Sequence, residues 1–411
     1  MTTTSSPAEA MSDIPPLSGY LRADGRKGIR NCILVVYLVE CAHHVAREIA
    51  ASFNSADVQV IGFSGCYPNE YSNKVLQRLC THSNVAGALL VSLGCEGFDR
   101  QQLIRSIQES GRPSDILGIQ QIGGTRKTIE AGKDWISKEL EKHKDIARVP
   151  MDISELIVGT ICGGSDSSSG IASNPAIGLS LDRLVKLGGN AIFEETGELI
   201  GCEQVMASRA STPELADELL ACVSKAARYY DTLGHGSFAP GNADGGLTTQ
   251  EEKSMGAYAK SGSSMISGII KPGDIPLQGG LYLLDVVPDG EVRFGFPNIN
   301  DTAEIVELIA CGCHLILFST ARGSVVGSVI SPVIKICGNP DTYRRMSEDM
   351  DIDAGRILEG RGTLEEVGSE IFDHMIRTVT GKATHSEALG HQEFVLTYKS
   401  FEPLGPACFP H

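Results

Sequence analysis

The sequence is short of positive charge and of the local motifs that mark several common enzyme classes. Lys and Arg number 35 against 51 Asp and Glu, a formal net charge of −16 over 411 residues. That balance argues against a nucleic-acid partner and against an anionic membrane surface, since both recruit clustered cations. There is no G-x-G-x-x-G after a strand-like run, no G-x-x-x-x-G-K-[ST], no H-E-x-x-H, no C-x-x-C and no G-x-S-x-G elbow. These absences set aside NAD enzymes, P-loop kinases, zincins and esterases. No apolar run approaches a bilayer span and the N-terminus has no apolar signal segment, so a soluble chain is expected. No repeat of solenoid period is present.

What is abundant is glycine and hydrophobic residues, 46 and 42% respectively, which suits a compact α/β enzyme of two or three domains. The 12 cysteines lack secreted-domain spacing and read as reduced thiols of a cytoplasmic protein. Residues 1–18 read as a disordered leader and 19–31 as a basic loop. Residues 32–39 (CILVVYLV) are a continuous apolar, β-branched run, hence a strand buried on both faces. Further strands at 58–63, 86–93 and 116–122 alternate with helical patterns at 41–53, 73–79, 100–109 and 126–143. This alternation predicts a mostly parallel sheet flanked by helices, a first α/β domain over 19–150. A second α/β domain, 151–390, follows with strands at 190–194, 280–285, 314–319 and 332–336, and helices at 178–187, 203–210, 213–230 and 302–309. Residues 391–411 read as a surface tail. The expected fold class is therefore α/β, with two or more Rossmann-like subdomains.

Residues 158–178, VGTICGGSDSSSGIASNPAIG, carry the densest signal. A buried strand ends in a Gly/Ser/Asp loop, and Asn174-Pro175 opens a helix, the arrangement by which α/β proteins bring backbone N–H groups to an anion. A tight turn of small residues is the plain alternative. Cys66, Cys95 and Cys162 each stand beside glycine at a predicted strand end, where ligands of parallel sheets bind. Three thiolates converging there would suit iron, with an open position for substrate because a cluster ordinarily takes four. Cys32, Cys222 and Cys337 fit a core role, and Cys311-x-Cys313 a structural one. Lys253, Lys260, Arg322 and Lys335 lie near Gly-rich or strand-end loops where a cation can meet a carboxylate. Arg26 and Arg30 can each grip one with two prongs. Glu194, Glu195, Glu198 and Glu203 either include a general base or form an acidic face. His43-His44 are read as packing or capping residues and His82 as a candidate ligand.

GYLRADGRKGIRN, GCYPN, HSNV followed by LGCE, CGGSDSSSGIASNPAIG, PGNADGGLTTQEEKS and ILFSTARG occur in one order, with the 335–339 stretch after them. Together these resemble the altronate/galactarate dehydratase family, which also includes the large subunit of sulfolactate sulfo-lyase. The resemblance implies a lyase that removes water from a sugar acid and yields a 2-keto-3-deoxy acid, with iron as cofactor, as an Fe–S cluster or a single Fe2+ or Mn2+. By position the resemblance picks out Lys253, Asp166 and Glu96 as catalytic candidates, to which the acidic run adds Glu203. The resemblance likewise implies Arg26, Arg30, Asn31, Ser165, Ser169, Asn174, Asn242, Arg322 and Lys335 as substrate-binding candidates, and Cys66, Cys95 and Cys162 as metal ligands. Asp24, Glu252 and Lys260 belong to the same motifs. Single-chain members start with an extra small domain for which there is no room before Gly19, so a separate small subunit and an oligomer are expected. Glu194-Glu195-Thr196-Gly197-Glu198 stands where S-E-T-P-E is usual, Cys202 where alanine is usual, and Ala321 where glycine is common. The alternatives are a carbon–sulfur lyase acting on a sulfonated hydroxy acid, or a non-catalytic anion-binding subunit.

Overall fold

A computed structural model describes residues 14–53, 56–233, 240–292 and 300–399. Most of the expected leader, residues 400–411 of the expected tail and residues 235–239 of the second Gly-rich loop lie outside the described residues. The chain enters through β1 (Leu17–Leu21), which pairs antiparallel with β2 (Lys27–Gly28). The expected basic loop is therefore partly a ladder, because Arg22 and Arg26 turn the chain back through the Arg26 carbonyl, which accepts the Arg22 N–H at 2.8 Å.

The first large sheet holds β3 (Cys32–Tyr37), β4 (Val58–Gly62), β5 (Val85–Ser92) and β6 (Ser114–Gly118) in the order β4-β3-β5-β6, all parallel. All of β5 is buried, as its unbroken VAGALLVS run requires of a strand covered on both faces. The strand expected at 116–122 stops at Gly118. There Ile119–Ile122 turns into a helical segment closed by Gly123 at φ 98°. The strand β7 (Val149–Met151) then returns to pair with β1 on its free side.

The second sheet has seven parallel strands. They are β8 (Ile157–Cys162), β9 (Asn190–Phe193), β10 (Ile266–Ile270), β11 (Gly280–Leu284), β12 (Leu315–Thr320), β13 (Val333–Cys337) and β14 (Ile352–Asp353), in the order β10-β11-β9-β8-β12-β13-β14. Strands β9 to β11 lie on one side of β8 and β12 to β14 on the other, so the winding reverses at β8. A crevice opens at such a reversal outside the carboxyl ends of the strands. The edge strand β10 has no counterpart in the sequence reading, since its ISGII pattern is short and half exposed.

Both sheets share one apolar core. Leu34, Phe63 and Leu90 of the first pack in the same cluster as Ile161, Ile192 and Phe318 of the second. At 1.5–3 kcal/mol per fully buried large side chain, roughly, this joint outweighs any single polar contact across it. Asn84, fully buried, stitches the same joint. Its Oδ1 accepts from the backbone N–H groups of Ile29 and Arg30 at 2.8 and 3.3 Å. Its Nδ2 donates to the His314 and Ile330 carbonyls and to Ser331 Oγ, each at 3.1 Å. The expected surface tail begins instead as a docked segment, with Leu396 in the shared core and the Lys399 ammonium buried against Glu307 at 2.7 Å. No helix among the described residues is long and apolar enough to cross a membrane.

Candidate active site

The central strand β8 delivers Cys162 to the crevice, and two glycines then let the chain leave. A Cβ on Gly163 would sit 2.2 Å from Asp301 Oδ2 and 2.5 Å from Phe318 Cζ, while Gly164 has φ +57°. Only glycine fits the first position without moving packed atoms, and the second favours it. The Gly164 carbonyl accepts from Ala321 and Arg322 N–H at 3.0 and 2.9 Å, which ties the loop to the end of β12. Ser165 N–H donates to Asn242 Oδ1 at 3.0 Å. Asp166 then organises the next turn, accepting from Ser168 N–H at 2.7 Å, from the Ser168 hydroxyl, and from Asn339 Nδ2 at 3.1 Å. A wide π-type turn, Ser169–Ser173, runs into the helix Asn174–Lys186 with Pro175 in its first turn, where a missing N–H costs nothing.

The turn lies against the helix Gln250–Ala259, where Gly170 and Gly256 let the backbones meet. That helix carries Lys253 inward, and Lys260 follows at its C-terminus. Lys253 Nζ lies 3.3 Å from Cys162 Sγ and 3.1 Å from Ser165 Oγ, and it pairs with Glu198. Lys260 Nζ lies 3.4 Å from the same sulfur and pairs with Glu195. Glu195 accepts from Cys162 N–H at 3.2 Å and approaches Sγ at 3.1 Å, and Glu198 Oε2 lies 3.4 Å from Sγ. One thiol thus sits between two carboxylates and two ammonium groups, nearly out of water. Glu195 has φ 78°, the single left-handed non-glycine among the described residues, a strained state usually retained where function needs it. Burial alone would make the Lys253 ammonium easier to deprotonate, but Cys162 and Glu198 outweigh it and its pKa is raised. Burial, reinforced by the Glu198 charge, pushes Asp301 up to about 6.

In front of this cluster lies a cavity of about 480 Å3 whose wall includes Ser165, Asp166, Ser169, Asn174, Glu252 and Lys253. Ser169 Oγ and Asn174 Oδ1 are buried there without hydrogen-bond partners, two open valences of the kind a polar ligand fills. Asn242 is buried behind Ser165. The exposed Arg322 reaches Gly245, whose added Cβ would stand 3.1 Å from Nη1. The loop 158–178 and the later Lys253, Asn242 and Arg322 motifs therefore converge.

Other candidates are engaged elsewhere. Arg30 pairs with Glu387 at 2.6 and 2.9 Å and donates to the carbonyls of Ile29, Thr378 and Lys382, which commits its guanidinium to structure. Arg26 pairs with Asp24, which also holds Arg112, and Asn31 accepts from Arg22 at 2.7 Å. Lys335 is wholly buried and donates to the Val326 carbonyl, with His391 Nδ1 at 3.1 Å. Glu96 and Glu203 cap their own loops through Gly94 N–H and Gly201 N–H. Cys66 and Cys95 are exposed in neighbouring loops of the first sheet, joined where Gly97 N–H meets the Cys66 carbonyl at 2.8 Å. Among the described residues neither thiol joins Cys162 in a tight ligand group, whereas Glu195 and Glu198 do. His43 pairs with Glu40 and stacks on Tyr37, and His82 is sealed in with its Nδ1 accepting from Asn84 N–H. The sequence reading missed Asp301, Glu304 and Asn339. The signal for the first two was available, because DTAEIVELIA sets acids into a run that is buried throughout from Ala303 to Ala310.

Residues 19–144 match the D-galactarate dehydratase/altronate hydrolase second-domain family, and residues 153–401 the D-galactarate/altronate dehydratase C-terminal family. The (2R)-sulfolactate sulfo-lyase subunit beta of Chromohalobacter salexigens is 31% identical over 405 residues, covering 92% of this chain and 96% of that protein. Altronate dehydratase of Bacillus subtilis is 28% identical, with 92% and 76% covered. Galactarate dehydratase (L-threo-forming) of Escherichia coli is 28% identical, with 90% and 74% covered. The Gly-Gly-Ser-Asp loop, its lysine-bearing helix and the two matching domains together establish that this chain belongs to the D-galactarate/altronate dehydratase family of lyases.

Proposed function

We propose that the chain is a metal-dependent hydro-lyase that converts a hydroxylated carboxylic acid of the sugar-acid type to a 2-keto-3-deoxy acid. The observation that carries this reading is the buried Lys253 ammonium, which lines a largely apolar cavity while touching Cys162 and Ser165. Dehydration removes the proton beside the carboxylate and expels hydroxide from the next carbon, leaving an enol that tautomerises to the ketone. Negative charge grows on the substrate carboxylate as that proton leaves. A fixed ammonium in a site with little water stabilises such charge without having to reorganise. Lys253, held protonated, takes this role, and Arg322 receives the far end of the acid from the rim. Of the two carboxylates on the cavity wall, Asp166 and Glu252, Asp166 accepts the α-proton, because its Oδ2 takes a hydrogen bond from Asn339 and retains a lone pair. Ser169 and Asn174 supply hydrogen bonds to substrate hydroxyls.

Cys162, Glu195 and Glu198 offer ligand atoms within 4.8 Å of one another. One sulfur and two carboxylates suit a single Fe2+ or Mn2+ better than a cluster, which takes four thiolates as a rule. Lys253 and Lys260 balance the same atoms, so a cation entering there would have to shift at least one ammonium. When bound, the ion would supply Lewis acidity toward the leaving hydroxyl. A small companion chain completes the enzyme in this proposal, supported by the relative that is itself named a beta subunit.

The second reading is a carbon–sulfur lyase, favoured by the 96% coverage of the sulfo-lyase subunit against 76% of altronate dehydratase. Anaerobic protein loaded with Fe2+ or Mn2+ and supplied with candidate small chains tests both. Its products from altronate, galactarate and sulfolactate are assayed for 2-keto acid and for sulfite. 2-Keto-3-deoxy acid from a sugar acid is the expected result. Sulfite release selects the second reading, and neither product from any of the three would overturn both.

A further inference from the structure

Beside the thiol cluster, and joined to it through Glu195, lies a second convergence of carboxyls. Glu194, Glu195 and Glu304 are all buried and bring ligand oxygens within 4.8 Å of one another. Acid clusters alone mean little, since many serve only as solvated or protonated faces. Here a separate observation points to a missing partner: Glu194 is 0% exposed, and among the described residues neither of its carboxylate oxygens has a hydrogen-bond donor. Buried carboxylates are otherwise paired, hydrogen-bonded or bound to a metal. The neighbouring Glu307 shows the ordinary solution, with Lys399 and Tyr71 each at 2.7 Å. Around Glu194 that solution is lacking.

The surrounding charge points the same way. Among the described residues, six acids of this buried region, Glu194, Glu195, Glu198, Asp301, Glu304 and Glu307, lie with the three ammonium groups of Lys253, Lys260 and Lys399. Each lysine already belongs to Glu198, Glu195 or Glu307 respectively. Glu194, Asp301 and Glu304 are left without a cation of their own, and of these Glu194 and Glu304 form the pair whose oxygens meet those of Glu195. The strained backbone of Glu195 also sets its carboxylate between Cys162 on one side and this pair on the other.

We infer that Glu194, Glu195 and Glu304 form a second, oxygen-only cation site, next to the Cys162 site and sharing Glu195 with it. Carboxylate-only donors select hard divalent ions such as Mg2+, Mn2+ or Ca2+ over the softer metals that thiolate favours. This site stands whether or not the chain is a hydro-lyase, because it depends on no step of the reaction.

The test uses the full chain stripped with chelator and titrated with Mn2+, bound ion being counted by electron paramagnetic resonance after removal of free ion. Cys162→Ala disables the thiolate site and isolates the other. One Mn2+ per chain in C162A and none in C162A/E304Q is the expected result. Equal binding by the two variants, or no Mn2+ bound by C162A, would overturn the proposal. Melting temperature guards against misfolding. In chelator, E304Q should melt no lower than the parent, because a neutral amide costs no more to bury there than a carboxyl that lacks a cation, and added Mn2+ should raise C162A but not C162A/E304Q. A lower melting temperature of E304Q in chelator would mean that the carboxylate is satisfied without a cation, and would overturn the proposal equally.

Discussion

Replacing Lys253 by methionine keeps the stem and removes the charge. Its side chain is 2% exposed and that of its partner Glu198 16%, so solvent screens the pair weakly. Cutting one partner from such a pair strands the other, a loss of roughly 3–5 kcal/mol in folding stability. Catalysis should suffer separately, because a fixed donor to developing negative charge contributes about 3 kcal/mol, a fall of roughly a hundredfold in kcat. Lys253→Met combined with Glu198→Gln separates the two effects. Removing the stranded carboxylate should restore at least about half of the lost stability while leaving kcat at the low level. Thermal unfolding and steady-state kinetics on the two singles and the double provide the measurement. Additive losses of stability would show that the ion pair is not coupled as its geometry requires. Full recovery of kcat in the double would refute Lys253 as the stabilising cation.

Arg322→Ala should raise KM about tenfold or more with kcat little changed, the value of one charge-assisted contact to a carboxylate. An unchanged KM would remove Arg322 from the site. Arg30→Lys should lower the melting temperature without raising KM, since a lysine cannot replace bonds made to Glu387 and three carbonyls. Gly163→Ala should destabilise strongly or abolish folding, because the new methyl would meet Asp301 and Phe318. For pH, Asp301 keeps its proton up to about 6 in the fold against an ordinary 3.8. The folded chain thus binds more protons than the unfolded one across that interval. Stability from this group accordingly rises as pH falls from about 7 to about 4, by at most about 3 kcal/mol. Asp301→Asn should flatten that part of a denaturation profile. Asp24, held down to about 2 by Arg26 and Arg112 against burial, acts in the opposite sense. Its contribution is present above pH 4, roughly, and lost as pH falls toward about 2, so Asp24→Asn should narrow acid tolerance.

Much of the architecture was readable because buried parallel strands announce themselves. The runs CILVVY, VAGALLVS and LILFST need apolar cover on both faces, and each is a strand close to its expected limits. Strand β10 was not legible, because a five-residue edge strand with three partly or fully exposed positions has no run to display. The loop 158–178 was legible for a related reason, as its small residues answer to close backbone contacts at Gly163, Gly170 and Gly256. Which cations attend it was not. Arg26 and Arg30 look like anion clamps in sequence, but their partners Asp24 and Glu387 can be matched to them only once the fold is known. Lys253 and Lys260 stood out in sequence only by lying near Gly-rich loops, as Arg322 and Lys335 also do. Their burial depends on the Gly170–Gly256 contact, which no local pattern encodes. Glu195's left-handed backbone is likewise set by its neighbours and not by its residue type.

The Asn84 junction bears on how far the protein is modular. Two family domains meet near residue 150, and their boundary invites the idea of two parts that evolved and could be prepared separately. Physically the parts are not interchangeable. One amide ties the 29–30 strand entry of the first to the carbonyls of His314 and Ile330 in the second, inside a dry, common interior. Cutting the chain at the boundary would leave each fragment with an apolar face and a set of polar groups with no local substitute. The two halves are modules in ancestry and one cooperative unit in folding, and grafting either onto a relative would succeed only where that relative supplies the matching half of the amide's network.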